Sequence, residues 1–237
     1  MNIAIIFAGG QGNRMHEYSR PKQFLEYRGK TVVTYTIEVF QRHPLIDGII
    51  VVSLESWIPY VKQQIENNRL TKVVEVVAGG TTGQDSIYNG LECAARLYPD
   101  DTIVLLHDGV RPLVTGLTIA ENIRIVKEKG NCITCVPATE TFIINQDSKL
   151  AIPNRRTSMI ARAPQSFMLR DVMALHRQAR QDGIHDFVDT CTMMNHYGRS
   201  FETVTGSLEN IKITTPADFF MFRSIMEARE EGVLFGW

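Results

Sequence analysis

A doubly wound, mostly parallel α/β sheet is what this sequence predicts, and three observations predict it. Short apolar runs rich in Val, Ile and Leu alternate with longer helical stretches from residue 2 to residue 136, the pattern of strands covered on both faces by crossover helices. The 237 residues are 44% hydrophobic and 22% charged, enough to bury a sizeable core as one large domain. Glycine-rich or acidic turns follow three of the runs, and in open sheets of this kind ligands gather beyond the carboxyl ends of the strands.

Residues 2 to 7, NIAIIF, form the first strand, which breaks at Gly9, Gly10 and Gly12. Glycines there admit positive φ and let the backbone come close to a ligand, so that N–H groups can point at phosphate oxygens. Arg14 and Lys22 add two cations, and Pro21 stiffens the chain that delivers the lysine. This combination reads as an anion grip for a nucleoside triphosphate; a plain strand-to-helix turn is the alternative. Helical stretches follow near 31–42, 57–67, 85–97 and 117–129, and strands at 49–53, 73–77, 102–106 and 133–136. The segments 9–14, 79–86 and 108–111 all fall just after strands and are expected to converge on one crevice. Residues 138–165 break the alternation, with two extended pieces around a polar turn at 145–149, and predict a protruding β-arm. Near the end, Ile211 and Ile213 point to one side of a short strand and Lys212 to the other. Thr215 and Pro216 then open the last helix, with Asp218 in its first turn.

Two familiar glycine motifs fail. The dinucleotide fingerprint G-x-G-x-x-G requires glycine where Met15 stands, and the tripeptide Gly29-Lys30-Thr31 lacks the Walker glycine, since Phe24 occupies its place. A formal net charge of −1 gives no global attraction to nucleic acid or to an anionic membrane, so binding of polyanions must be local. No apolar run approaches the ~20 residues of a membrane helix, and the N-terminus lacks a signal-peptide pattern, so a cytoplasmic enzyme is expected. Cys132 and Cys135 form a C-x-x-C, but on a strand residues three apart face opposite ways, which favours core packing over a metal or a disulfide.

The stretch AGGQGNRM with PKQF resembles the signature of the polyol-phosphate cytidylyltransferase family, which holds the methylerythritol-phosphate and ribitol-5-phosphate enzymes. Further matches run in order along almost the whole chain: AGGTTGQDSIYNGL at 78–91, HDGVRP at 107–112, ATET at 138–141, NRR at 154–156, APQSF at 163–167 and NIKITTPAD at 210–218. The resemblance implies a Rossmann-like nucleotidyltransferase fold whose β-arm embraces a second subunit, giving a homodimer. It implies CTP held by Phe7, Ala8, Gly9, Gly10, Gln11 and Gly12 and by Gly79, Gly80, Thr81, Asp85 and Ser86, with Ser86 reading cytosine or else capping the following helix. Arg14 and Lys22 would stabilise charge on the α-phosphate and pyrophosphate. Asp108 would hold Mg²⁺, since hard cations prefer carboxylate oxygen. Arg111, Lys212, Thr141 and Arg155 would face the acceptor phosphate, the last two in trans, with Arg156 as the rival of Arg155.

The reaction implied is CTP plus a polyol phosphate giving a CDP-polyol and pyrophosphate. The chain departs from the family pattern at Gly83, where many relatives carry arginine, and at Ala163 and Val188, where threonines are missing. The two lost hydroxyls favour a pentitol phosphate such as ribitol 5-phosphate over methylerythritol phosphate, with glycerol phosphate also open. A catalytically silent binding module would be expected to lose Arg14, Lys22 or Asp108, and all three are present. A nearer competitor is a transferase using another nucleotide, such as UTP with a sugar 1-phosphate.

Overall fold

A computed structural model describes residues 1–10, 20–146 and 149–230 of the chain. The main elements are β1 (Asn2–Ala8), β2 (Glu26–Tyr27), β3 (Lys30–Thr31), α1 (Val32–Arg42), β4 (Gly48–Ser53), α2 (Ile58–Asn67), β5 (Val73–Ala78), α3 (Gly83–Leu97), β6 (Ile103–Asp108) and α4 (Gly116–Lys129). They continue with β7 (Asn131–Pro137), β8 (Ile144–Gln146), β9 (Lys149–Ala151), β10 (Met159–Met168), α5 (Leu169–Gln181), α6 (Thr190–His196), β11 (Thr203–Thr205) and α7 (Pro216–Glu230). Seven strands make one sheet in the order β11-β7-β10-β6-β1-β4-β5. Every pairing is parallel except those of β10, which runs antiparallel between β6 and β7.

The strands are apolar on both faces because both faces are covered. Ala4, Ile6, Ile49, Val51 and Leu105 pack with Phe40 of α1 and with Ile119 and Ile123 of α4. Ile3, Ile5, Ile50, Val52 and Val104 pack with Leu91 of α3 and with Val172 and Met173 of α5. Cys132 belongs to the first cluster and Cys135 to the second, so the C-x-x-C is core on two faces, as the strand period requires. A third cluster holds α7 through Phe219 and Phe222 against Leu25, Val110 and Ile213.

Three expectations are corrected. The excursion after β7 is shorter than 138–165: Met159 already pairs with Pro137, because β10 turns back into the middle of the sheet. What stands apart is the antiparallel pair β8–β9, in which Ile144 faces Ala151, with Phe142, Ile143, Leu150 and Ile152 exposed. Residues 211–214 form no strand, although Ile211 and Ile213 do face one cluster together. Helix α3 starts two residues early because Thr82, not Ser86, is its N-cap, its side chain accepting from Asp85 N.

His176 on α5 offers a test of this packing. It is 1% exposed, with Nε2 3.4 Å from Thr190 Oγ1. Burial, with Arg180 on the same helix adding to it, lowers its pKa from 6.5 to about 4. Between those values the unfolded chain takes up a proton that the fold refuses. Stability from this group is therefore full above pH 6.5 and is lost as pH falls toward 4, by roughly 3 kcal/mol. Denaturant titrations at about pH 7.5 and about pH 4.5 should show the loss, and His176→Gln should remove most of this residue's share. An identical pH slope in the variant would sink the argument.

Candidate active site

Three strand ends open into one crevice of about 470 Å³, a volume typical of small-molecule sites. Phe7 and Ala8 of β1 lead into Gly9 and Gly10 on one wall. Gly80, Thr81 and Ser86 form the opposite wall, and Asp108 stands at the end of β6. Lys22 and Lys212 reach the same crevice from neighbouring segments. Arg14, Gln11 and Gly12 lie outside the described residues.

Local chemistry fixes each wall. Gly9 and Gly10 do not take the left-handed φ that the sequence suggested. Their segment is clamped instead by Gln23, buried to 1% exposure, whose Nε2 donates to Ala8 O at 2.7 Å and Gly10 O at 3.1 Å. Sequence reasoning passed over this glutamine although it sits in the PKQF run beside Lys22. Across the crevice, a Cβ on Gly80 would lie 2.2 Å from that of Asp85, and one on Gly79 would lie 2.9 Å from Ser86 Oγ, so neither position tolerates a side chain without rearrangement. Ser86 Oγ donates to Thr82 O at 3.0 Å and accepts from Gly80 N at 3.1 Å, which ties the loop to the first turn of α3. Asp85 works from behind the loop: Thr81 Oγ1 donates to it at 3.0 Å and Arg180 Nη1 at 2.8 Å. Burial alone would raise the Asp85 pKa, but these bonds and the Arg180 charge outweigh it and hold the carboxyl below its usual range.

Asp108 is the centre of a charge cluster. Arg111 Nε donates to Oδ2 and Lys212 Nζ reaches Oδ1, both at 2.9 Å. Burial pushes the Asp108 pKa up, but Lys212 and Arg111 together pull it well below the usual carboxylate range. Lys212 is placed by the residues around it: Thr214 N, Thr214 Oγ1 and Thr215 N all donate to Asp218 at 2.8 Å, and Ile213 N donates to Val110 O at 2.9 Å. His107 lies beneath, 1% exposed, its Nε2 3.1 Å from the Arg111 carbonyl. Burial lowers its pKa to about 4, so it is a neutral donor that shapes the turn from Asp108 to Arg111.

A smaller cavity of about 130 Å³ adjoins the crevice and shares Phe7, Ile87, Asp108, Val188 and Lys212 with it. Arg111, Arg162, Gln165 and Thr190 line only this side chamber. Of these, the sequence had pointed to Arg111 alone. Thr141 and Arg155 are exposed on the arm and line neither cavity; Arg155 Nη1 donates to Thr139 O at 3.3 Å.

The class defined by this arrangement is that of the nucleotidyltransferases. Solved structures agree: 4-diphosphocytidyl-2C-methyl-D-erythritol synthase from Anaerococcus prevotii is similar with a TM-score of 0.81 at 26% identity, covering 95% of this chain and 96% of that one. The 2-C-methyl-D-erythritol 4-phosphate cytidylyltransferase of Francisella tularensis gives 0.77 at 25% identity, covering 95% and 99%.

The chain belongs to the IspD family, described as 2-C-methyl-D-erythritol 4-phosphate cytidylyltransferase, whose model matches residues 2–228. Ribitol-5-phosphate cytidylyltransferases of Streptococcus agalactiae serotype Ia and Vibrio parahaemolyticus are 48% and 45% identical, each over 100% of both chains. A 2-C-methyl-D-erythritol 4-phosphate cytidylyltransferase of Syntrophus aciditrophicus is 36% identical over 97% of each.

Proposed function

We propose that the chain transfers CMP from CTP to a polyol phosphate, with ribitol 5-phosphate as the acceptor, giving a CDP-polyol and pyrophosphate. The observation that carries this reading is the pair of adjoining cavities with Asp108 and Lys212 on their common wall. One is large enough for a nucleotide, the other fits a short acceptor, and the reacting phosphates meet between them. The choice of acceptor is supported by the 48% identity to ribitol-5-phosphate enzymes against 36% to the methylerythritol-phosphate enzyme.

In the proposed reaction an acceptor phosphate oxygen attacks the α-phosphorus in line, forming the new O–P bond as the bond to the pyrophosphate oxygen breaks. A phosphate monoester is already ionised near neutral pH, so no general base is needed. The work left to the protein is positioning and charge stabilisation. In this reading Lys22, with Arg14, faces the α-phosphate and the leaving pyrophosphate. Lys212 and Arg111 face the acceptor phosphate, and residues 79–86 hold the base. Mg²⁺ is commonly bound through one or two carboxylates together with substrate phosphates, and Asp108 is the carboxylate on the common wall; Arg111 and Lys212 take one contact on each of its oxygens, which leaves lone pairs that would hold the ion. Bound there, the ion would neutralise phosphate charge.

The exposed apolar residues of the arm, Leu150 at 71% and Ile152 at 67% among them, support a homodimer in which Thr141 and Arg155 reach the partner's acceptor phosphate. No helix among the described residues is long and apolar enough to cross a membrane, and the proposed setting is cytoplasmic, as a single cytidylyltransferase domain.

The test is pyrophosphate release with Mg²⁺ and CTP against ribitol 5-phosphate, methylerythritol 4-phosphate, xylitol 5-phosphate and glycerol phosphates, with UTP and ATP as controls. Ribitol 5-phosphate should give a kcat/KM at least about tenfold above the others, one good polar contact's worth of discrimination. A preference for methylerythritol 4-phosphate would replace the acceptor, and release with UTP but not CTP would overturn the reading.

A further inference from the structure

Arg162 has no role in the reaction as set out above, yet it lines the side chamber. It stands where the ladder between β10 and β7 breaks: Ala161 pairs with Cys135 but Gln165 with Ile133, so β10 carries two more residues than β7 across this interval. Irregularities of this kind re-aim side chains next to functional sites. Buried bonds fasten this one, since Thr134 Oγ1 donates to Pro164 O at 2.7 Å and Asn210 Nδ2 donates to Ala163 O at 2.8 Å.

The half-buried guanidinium has few partners. Its Nη1 donates to Asn210 O at 2.6 Å and, at the limit of bonding, to Leu208 O at 3.4 Å. Arg111 Nη1 donates to the same Asn210 oxygen at 2.8 Å, so two cations crowd one carbonyl. The carboxylates of the chamber are engaged elsewhere: Asp108 holds Arg111 and Lys212, and Asp189 accepts from Thr192 and Gln165. Among the described residues no carboxylate pairs with Arg162. A guanidinium has five N–H groups, and those on Nε and Nη2 remain for a ligand.

The rest of the chamber narrows what that ligand is. Ala163 and Val188 offer only carbon, and Gln165 is committed at both ends, to Asp189 and to Cys191 N. The acceptor phosphate belongs beside Lys212 and Arg111, which are joined through Asp108, whereas Arg162 makes no ion pair with Asp108 and lines the side chamber beside Ala161 and Ala163, where the rest of the acceptor must lie. We propose that Arg162 is a specificity-determining residue whose unspent N–H donors bind hydroxyl oxygens of the polyol chain; this rests on the polyol-phosphate reading of the site.

The experiment compares wild type with Arg162→Met and Arg162→Lys in the full chain. It measures kcat, the KM for ribitol 5-phosphate, the KM for CTP, the competitive inhibition constant of inorganic phosphate, which has no hydroxyl chain, and Tm. Arg162→Met should raise the acceptor KM by roughly ten- to a hundredfold, as expected when a hydroxyl-binding group is lost. The phosphate inhibition constant and the CTP KM should stay within about twofold, and Arg162→Lys should recover part of the loss. If Arg162→Met does not fold, the Lys variant carries the test, with a smaller rise confined to the acceptor KM. Equal weakening of phosphate and acceptor would make Arg162 a phosphate contact and overturn the proposal. So would an unchanged acceptor KM, or a loss shared with CTP and Tm that marks a structural role only. Wild type inactive with every polyol phosphate would overturn the functional reading and this proposal together, whereas an active wild type with an indifferent variant overturns this proposal alone.

Discussion

Lys22→Ala is expected to lower kcat/KM by about two to three orders of magnitude with Tm nearly unchanged, the usual cost of removing a preorganised group aimed at developing charge. The lysine opens a short 3-10 turn, Lys22–Phe24, after Pro21, and lines the crevice beside Gly9 and Gly10. Its neighbours anchor that turn. Gln23 grips the Ala8 and Gly10 carbonyls, and Phe24, fully buried, stacks on Trp57 with ring centroids 4.4 Å apart. Truncating Lys22 should therefore remove the charge and leave the backbone in place. Lys22→Arg should fall between, since a planar guanidinium keeps the charge but not the point geometry of the ammonium. Steady-state pyrophosphate release and a thermal melt decide the matter; turnover within about threefold of wild type in the Ala variant would take Lys22 out of the reaction.

Asp108→Asn should cost at least about a hundredfold in turnover and also destabilise the fold by about 1–3 kcal/mol, because a partly buried anion that balances two cations is replaced by a neutral amide. Lys212 and Arg111 would then face one another without their common carboxylate. Because those cations depress the Asp108 pKa, its stabilising effect is fully present above the ordinary carboxylate value and is lost only as pH falls through the lower folded value. The difference in stability between wild type and Asp108→Asn should accordingly be flat from neutral pH down to about pH 4 and shrink below that. Mg²⁺ titration of activity supplies the second readout, with a higher half-saturating concentration expected in the variant. An unaltered Mg²⁺ requirement together with wild-type turnover would remove Asp108 from the proposed metal role.

Most of the sheet was legible because its parallel strands are covered on both faces and read as unbroken apolar runs. Residues 2–7, 49–53 and 102–106 each match a strand to within two residues at either end. Strand β10 was missed for the opposite reason. Its sequence MIARAPQSFM carries an arginine and a proline at the irregularity and shows no clean alternation, so it read as part of the arm. The site was half legible in the same sense. Glycines, lysines and an aspartate after strands announce themselves, and the structure gathers Gly9, Gly10, Lys22, Gly80, Asp108 and Lys212 around one crevice. Gln23, Gln84 and Asn210 did not, since buried amides that tie one loop to another have no spacing rule. Gln84 links α3 to the segment leading into α6, with Nε2 donating to Ile184 O at 2.8 Å and Oε1 accepting from Phe187 N at 2.9 Å.

The return of β10 beside β7 makes the arm a closed excursion from the sheet. Ala138 N donates to Ser158 O at 3.0 Å, and Pro137 stands opposite Met159, so the excursion leaves and re-enters the body one strand spacing apart. Its length can drift at little cost, since doubling a flexible loop adds only about 0.6 kcal/mol of closure entropy. The excursion between 138 and 158 can therefore change in length without disturbing the pairing that flanks it and keeps the chamber of Arg111 and Arg162 in register, with Thr141 and Arg155 the two positions on it that the proposed dimer would hold fixed.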